Sequence, residues 1–345
     1  MRSSLYTRLL SLRRRCGLIF EATPRNVSAE TGRLASLAER DVFEEPSFEY
    51  GGDAVADLRE LVHELETVAR TIPSSEKSLA ARAEELLVEA ELAACVGQTH
   101  FGVRAEARYA MSSASRKHAA ELAERWILEC DEETSPTYPT DGTQPEALLP
   151  RISALVRAHS PFHKVVVRAD MASLAATGDE YVYVASKRHL TAREAERVAV
   201  HEVFGHVVPR VRAVLDQDDV GRLGTAHGED TQEGYALYCE HRAGLLHEGR
   251  KRELAERHLA CTWMEEGAPF SAITRSLVHE YGTPANRAVR VAVRAFRGSK
   301  GRGKGLGRER VYLPYYCLVR AHLEKMPADE ARLTVGQRSL DELAP

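Results

Sequence analysis

The sequence predicts an α+β fold that is mostly helical. Leucines and alanines recur at helical spacing among charged residues in several segments of the 345-residue chain, which is typical of amphipathic helices. Two runs rich in β-branched residues predict the strands of a small sheet. No apolar run reaches the roughly 18 residues that a membrane-spanning helix needs, so we expect no insertion into a membrane.

Composition narrows the partners and the compartment. Lys and Arg total 47 and Asp and Glu total 51, so the net charge of -4 gives no electrostatic reason to expect nucleic acid as a main partner. The 6 cysteines have no Cys-x-x-Cys spacing, which disfavours a cysteine metal site or a disulfide scaffold. We therefore expect a protein of the reducing cytoplasm, and composition leaves its oligomeric state open.

The first part of the chain predicts a basic segment followed by helices. Residues 1–20 carry several arginines and no acidic residue, which resembles an amphipathic transit peptide, although we favour a basic N-terminal helix. Within the helical region 21–130, the apolar spacing predicts helices over 53–70, 75–96 and 115–130. Residues 131–149 mix acidic residues, Pro, Thr and Gly, and this composition predicts a linker or surface loop before a second region at 150–345.

The second region begins with the two predicted strands. KVVVR at 164–168 and EYVYVA at 180–185 have the β-branched composition of strands. Thr191 and Glu194 form a Thr-x-x-Glu capping box at the start of the next helix, which we expect Pro209 to end. Further helices are predicted over 232–246, 252–265, 270–281 and 285–296.

The stretch HEVFGH at 201–206 places two imidazoles and a carboxylate on one predicted helix. Such a set can hold zinc beside a general base. In the familiar His-Glu-x-x-His helix the histidines are four residues apart, whereas His201 and His206 are separated by one residue more, which opens the angle between them to roughly 140° on a regular helix. Both rings can reach one metal only where the helix widens, as in a π-bulge, and we expect Gly205 to tolerate that backbone.

A zinc ion with two histidine ligands needs a third protein ligand and an open position for water. Three downstream glutamates are candidates: Glu229, Glu233 and Glu240. We favour Glu233, because Asp230 or Thr231 can cap a new helix there. Gly234 beside it is expected to leave room for the metal. Glu240 lies on nearly the same helical face and is a candidate to orient a ligating histidine.

Glu202 is then predicted to be the general base, which takes a proton from water and later passes it to the departing amine. A developing oxyanion needs a further donor, and the candidates are Tyr312, Tyr315, Tyr316 and His241. The strands and the metal helix together predict a zincin-like metallopeptidase core within 150–345. An exposed strand edge beside such a helix can hold an extended peptide by main-chain hydrogen bonds.

The motifs resemble those of a known family. HEVFGH and TQEGYA at 231–236 are similar to the HExxxH and QEGLA motifs of the family that contains microtubule-associated tyrosine carboxypeptidase and its bacterial relatives. The resemblance runs from about Phe20, through PSFEY at 46–50, to about Tyr316.

Later segments follow the order of the family, with some departures. Arg297-Gly298 and RERVYL at 308–313 lie at family-like positions. Tyr235 stands where the family usually has Leu, and Arg308-Glu309 stand where it usually has Lys-Asp. The Asn-Gly and Gln-Pro-Leu elements that often follow the metal helix are not recognisable in 207–223. These departures concern the choice of substrate more than the zinc chemistry.

The resemblance implies one zinc ion bound by His201, His206 and Glu233, with Glu202 as the catalytic base. It also implies that the substrate is a peptide or protein tail from which a C-terminal residue is removed.

A carboxypeptidase also needs a cation for the terminal carboxylate of its substrate, because an unpaired buried charge is costly. The stretch 297–310, which predicts a loop, is rich in basic residues. Arg297 and Arg308 are the preferred candidates because they fall on family-like positions. Tyr312 in the same part of the chain is a candidate catalytic residue, with a buried core aromatic as the alternative.

Two other functions fit the same motifs. HExxGH followed by a glutamate also resembles dipeptidyl peptidase III, which favours a zinc aminopeptidase or dipeptidyl peptidase as an alternative. A regulatory protein that binds zinc without turnover is the second alternative. The three hypotheses differ in which end of a peptide is trimmed, if either is.

Overall fold

Helices dominate the computed structural model, which describes residues 2–52, 55–129, 135–169, 171 and 173–343. The helices before the first sheet residues are α1 (Arg2–Arg15), α2 (Leu18–Glu21), α3 (Val27–Ala38), α4 (Val55–Ala69), α5 (Lys77–Ala94), α6 (Phe101–Arg108) and α7 (Ser113–Trp126). Strand β1 (Thr137–Pro139), helix α8 (Leu148–His159) and strands β2 (Lys164–Arg168), β3 (Ala175–Thr177), β4 (Tyr181–Ala185) and β5 (His189–Thr191) follow.

The remainder of the chain is helical again. The next elements are α9 (Ala192–Val200), a π-helical segment (His201–Val207), α10 (Val208–Leu215), α11 (Asp219–Leu223) and α12 (Gly228–Arg242). They are followed by α13 (Glu248–Glu265), α14 (Phe270–His279), α15 (Ala285–Ala295), α16 (Tyr312–Lys325) and α17 (Glu330–Leu333). Short 3-10 turns occur at Arg308–Val311, Pro327–Asp329 and Leu340–Leu343. The prediction of a mostly helical α+β fold is confirmed, and the zincin-like core stays a prediction.

The chain forms two compact units. Unit 1 comprises Met1–Glu129 and Lys251–Pro314, and unit 2 comprises Cys130–Arg250 and Tyr315–Pro345. The division predicted from the sequence, at 1–20, 21–130, 131–149 and 150–345, stays a prediction.

Unit 1 is built on packed amphipathic helices. In α4 the buried residues Leu58, Leu61 and Leu65 recur at helical spacing and pack on α5. Helix α1 also contacts α4 and buries Leu9 and Leu12, so the basic N-terminal segment forms a helix with one apolar face.

Unit 2 contains the sheets and the candidate site. The three-stranded sheet has the order β2-β4-β3, with β2 parallel and β3 antiparallel to β4, so β3 lies at an edge. Val182 and Val184 of β4 pack against Ile152 of α8 and Val198 of α9 in one apolar core. The core holds the π-helical segment, which continues from α9, beside β3.

Most predicted elements occur within a few residues of their expected bounds. The predicted helix ends at Asp53 and Cys130 lie outside the described residues, as do 131–134 of the predicted linker. Residues 137–139 of that linker form β1, which pairs antiparallel with β5, and α8 begins at Leu148. The pairing with β5 is a tertiary contact that the loop-like composition did not reveal.

Two helix ends differ from the prediction. Pro209 does not end the metal helix, because it lies in the first turn of α10, where its missing N–H costs no hydrogen bond. Helix α12 ends at Arg242, not at residue 246. Gly244 has φ +70° and Leu245 N–H bonds to the carbonyl oxygen of Glu240 at 2.9 Å, which is a Schellman end.

No described helix is both long enough and apolar enough to cross a membrane.

Candidate metal centre

The π-helical segment brings the two histidines of HEVFGH together. Residues His201–Val207 have i→i+5 geometry, so residues five apart lie over one another. The ring centroids of His201 and His206 are 5.2 Å apart. The local widening predicted from the spacing is confirmed. The π-helical segment continues directly from α9. The first turn of α9 is capped by Thr191 Oγ1, which accepts a hydrogen bond from Glu194 N–H at 3.2 Å.

Gly205 acts through close packing and not through an unusual backbone angle. It is absent from the positive-φ residues of the described chain. A Cβ on Gly205 would lie 2.3 Å from the Cβ of Ala236 on α12, which is far inside van der Waals contact. The expectation that Gly205 relieves backbone strain is therefore replaced by a steric role, because its lack of a side chain lets α12 approach the histidines.

This close crossing brings Glu233 of α12 to both imidazoles. Glu233 Oε2 lies 3.5 Å from His201 Nε2 and 3.8 Å from His206 Nε2. Donor atoms about 2.1 Å from a tetrahedral zinc ion are separated by about 3.4 Å, so these spacings suit such an ion. One ligand atom from each residue lies within 4.8 Å of the others. Two imidazoles and one carboxylate are also a donor set that zinc accepts while keeping a position open.

Gly234 does not leave room for a metal as predicted. A Cβ there would lie 2.4 Å from the carbonyl carbon of Tyr315 on α16. The glycine instead admits the backbone of α16 against α12. Of the other two glutamates considered as ligands, Glu229 is not part of the cluster and Glu240 contacts the far side of His201.

Glu240 orients His201. The Nδ1 of His201 donates to Glu240 Oε1 at 2.7 Å, which directs Nε2 toward Glu233. Glu240 is 0% exposed, and Arg250 and Arg197 lie 3.0 Å and 3.5 Å from its oxygens. Burial alone would raise the pKa of Glu240, but the charges of Arg250 and Arg197 outweigh burial and lower it to about 2.

Gln232 orients His206 as Glu240 orients His201. His206 Nδ1 donates to Gln232 Oε1 at 3.0 Å, and the same oxygen accepts from Gln337 Nε2 and from Arg210 Nη1, both at 3.2 Å. The amide is therefore held from two further directions. Helix α12 thus supplies an acceptor for each histidine in addition to Glu233.

The two histidines differ in proton affinity when no metal is bound. Burial lowers the pKa of His201, but hydrogen bonds to Glu233 and Glu240 outweigh burial and raise it to about 9. Burial, opposed by the charge of Glu233, lowers the pKa of His206. A metal ion requires both Nε2 atoms without protons, so its binding releases a proton from this site.

Glu202, the predicted base, is buried beside His201 and is contacted by a strand. Thr177 Oγ1 on β3 donates to Glu202 Oε2 at 2.7 Å. Sequence reasoning missed Thr177, because nothing in the local pattern of a short strand indicates a tertiary partner 25 residues later. It also missed Gln232, although its place beside Glu233 in TQEG was a signal that could have found it.

The other predicted site residues, Tyr312, Arg297 and Arg308, lie in unit 1. Arg297 and Arg308 are near the buried Glu309, whose carboxylate Arg294 contacts at 3.0 Å. Arg297 is 8% exposed, and no hydrogen bond or ion pair to its guanidinium occurs among the described residues. Burial and the like charge of Arg294 lower the pKa of Arg297 to about 10.

Two other basic residues of the 297–310 stretch and two of the oxyanion candidates have partners. Lys304 pairs with Glu106 at 2.7 Å, and Arg310 pairs with Glu265. In unit 2, the hydroxyl of Tyr316 is 2.8 Å from His241 Nδ1, so these two oxyanion candidates contact each other. Tyr312 is buried and close enough to Arg297 to affect its pKa.

The structure thus defines a helical α+β protein with a His-His-Glu cluster suited to a metal ion. A sequence profile of the family described as microtubule-associated tyrosine carboxypeptidase matches residues 37–344. The chain belongs to this family, as its motifs predicted, and the family name is that of a peptidase. No curated protein matches the sequence.

Proposed function

We propose that this protein is a zinc-dependent carboxypeptidase. The proposal depends on one observation: His201 Nε2, His206 Nε2 and Glu233 Oε2 converge, with Glu202 next to His201 in the chain. When bound by these atoms, one zinc ion would polarise the scissile carbonyl and lower the pKa of water. Membership in a family named for a carboxypeptidase supports the same reaction.

Glu202 would carry the proton. Its Oε2 accepts from Thr177, which leaves Oε1 to take a proton from the attacking water. The carboxyl group then gives this proton to the amine nitrogen of the departing residue. Glu202 returns to its carboxylate form, and the oxygen of water remains in the new C-terminal carboxylate.

Arg297 has the chemistry needed to recognise the carboxylate of a C-terminal residue. It is a buried cation to which no carboxylate is hydrogen-bonded among the described residues, and burial together with the charge of Arg294 lowers its pKa although Glu309 opposes this. Arg308 stays a second candidate, and Tyr312 stays the candidate oxyanion donor. The name of the family makes a peptide that ends in tyrosine the first substrate to test.

The first experiment separates metal binding from catalysis. Glu202→Gln is expected to keep about one zinc per chain, because Glu202 is not a ligand in the proposal, and to lose at least about 100-fold in cleavage rate. Zinc content by mass spectrometry and cleavage by chromatography are the measurements. Glu233→Ala should lose the metal, whereas Glu229→Ala should keep it. Equal cleavage by wild type and Glu202→Gln would remove Glu202 from the mechanism.

The second experiment asks which end of a peptide is trimmed. Two peptides of the same sequence are compared: one is N-acetylated with a free C-terminus, and the other has a free N-terminus and a C-terminal amide. A carboxypeptidase cuts the first and spares the second, because only the free acid offers a carboxylate. Arg297→Gln should lower cleavage of the free acid by about 10- to 100-fold, as expected for a lost charged hydrogen bond. Arg302→Gln, an exposed change in the same loop, is the control and should have no effect.

The same peptides test the alternatives. Cleavage of the amide but not of the acetylated peptide would support an aminopeptidase or dipeptidyl peptidase. Bound zinc without cleavage of either peptide would support a regulatory protein.

A further inference from the structure

Thr177 contacts the carboxylate that we propose as the base. Its Oγ1 lies 2.7 Å from Glu202 Oε2 and 3.4 Å from the carbonyl oxygen of Glu202. Both oxygens only accept, so the hydroxyl is the donor. Glu202 is 7% exposed and Thr177 is half-buried, so water competes little for this hydrogen bond.

The turn after Thr177 is fixed on both sides. Gly178 N–H donates to the carbonyl oxygen of Tyr181 at 2.8 Å, and Gly178 O accepts from His163 Nε2 at 3.3 Å. The other ring nitrogen of His163 faces Ser160 Oγ at 2.8 Å. Burial lowers the pKa of His163, so the neutral ring, with Nε2 as donor, is favoured. Thr177 therefore lies at the end of a strand whose exit is held by two hydrogen bonds of Gly178, and a third bond, from Ser160, orients His163.

We propose that Thr177 is a positioning residue that fixes the Glu202 carboxylate for proton transfer. The inference rests on the proposed function. The end torsion of a glutamate is broad, so a carboxylate without a fixed donor samples many orientations. Thr177 restricts Oε2 and leaves Oε1 for the proton. No bond to Thr177 forms or breaks during the reaction.

The test compares two substitutions of nearly equal size in the zinc-loaded enzyme. Thr177→Val removes the hydroxyl and is expected to lower kcat by about tenfold with KM within about twofold, since the base is misplaced while the strand remains. Thr177→Ser retains the donor and should have a kcat close to that of wild type. Zinc content should be unchanged in both variants.

The background of Glu202→Gln supplies the decisive control. If Thr177 acts through Glu202, Thr177→Val should not lower the residual rate of Glu202→Gln any further. A wild-type kcat for Thr177→Val would overturn the inference, and so would a Thr177→Ser enzyme as slow as Thr177→Val. A loss of zinc or a rise in KM alone would indicate a merely structural role.

A measurement without turnover tests the contact itself. In the metal-free protein, Thr177→Val and Glu202→Ala are each expected to lower the urea midpoint, and the double variant should lie close to the single ones. Additive effects would contradict the contact. A wild type that cuts no peptide would instead overturn the proposed function, while the unfolding cycle still decides whether Thr177 holds the carboxylate.

Discussion

The two ligating histidines of the proposed centre are held by acceptors of different charge. His201 faces the buried carboxylate of Glu240, and His206 faces the neutral amide of Gln232. A carboxylate behind a ligating imidazole makes the ring a stronger donor to a metal than an amide does. We therefore expect the affinity for the metal to depend more on the partner of His201 than on the partner of His206.

Glu240→Gln should weaken zinc binding by about 10- to 100-fold, because the amide still accepts a hydrogen bond but no longer carries the charge that strengthens the imidazole. Competition with a chromophoric chelator, starting from metal-free protein, measures the affinity. Glu229→Gln on the same helix is the matched control and should leave the affinity within about twofold of wild type. Equal affinities for Glu240→Gln and wild type would show that the carboxylate does not tune the metal.

Sequence reasoning could find the residues that we propose to carry the chemistry, and Glu240 behind His201, but not the arginines that hold Glu240. His201, His206 and Glu233 lie in short motifs, and the structure brings them together. Arg197 and Arg250 contact Glu240 from 43 and 10 residues away, and isolated charges on helices ordinarily indicate a solvated face. Only the packing of α9, α12 and the start of α13 reveals that both arginines are buried against one carboxylate.

At the scale of elements, the centre depends on how closely α12 crosses the π-helical segment. The crossing point is Gly205 against Ala236, and Glu233 lies one turn before Ala236 on α12. The prediction of a widened turn came from residue spacing alone. The position of α12 could not be predicted in this way, because nothing in the sequence specifies which helix packs on Gly205.

Gly205→Ala is expected to force the two elements apart, since the new Cβ would lie 2.3 Å from that of Ala236. We expect a loss of about 1–3 kcal/mol in the free energy of unfolding, as for other overpacked cores, together with weaker zinc binding. Urea unfolding and chelator competition measure the two effects. The control is Gly32→Ala in α3, where a Cβ meets no atom within 4 Å, so stability should stay equal or rise by up to about 1 kcal/mol. Unchanged zinc affinity in Gly205→Ala would mean that this crossing does not set the position of Glu233.

The course of the chain after His206 also follows from the π-helical segment. In a regular helix, the ring of Pro209 would clash with the carbonyl of the residue four positions earlier. The widened segment ends at Val207, so Pro209 falls in the first turn of α10 and the chain continues to Leu215. The expectation that Pro209 ends the helix was wrong because it assumed a regular backbone up to that point.

At the scale of the whole molecule, each unit buries carboxylates among arginines. Glu240 lies between Arg197 and Arg250 in unit 2, and Glu309 contacts Arg294 in unit 1. Some of the 47 basic and 51 acidic residues therefore pair with each other inside the protein and not on its surface. A buried ion pair destabilises the fold strongly when one partner loses its charge, so stability should depend on pH.

In unit 1, Glu309 is expected to make the stability of the fold decrease at acidic pH. Burial alone would raise its pKa, but the charges of Arg294, Arg257 and Arg297 outweigh burial and lower the pKa to about 2. A carboxyl whose pKa is lower in the folded state stabilises the fold above its unfolded value of 4.5, and this stabilisation is lost as the pH falls toward 2. The urea midpoint of wild type should therefore fall steeply between pH 5 and pH 3.

Glu309→Gln should be less stable than wild type at pH 7 by about 3–5 kcal/mol, because it leaves buried arginines without their carboxylate, and its urea midpoint should fall less between pH 5 and pH 3. Glu66→Gln is the control, because its exposed pair with Arg70 contributes only about 0–1 kcal/mol. That variant should reproduce both the wild-type midpoint and its pH dependence. An equally steep fall in wild type and Glu309→Gln would assign the acid sensitivity to other carboxylates, since only a group that loses its charge in this range can produce the slope.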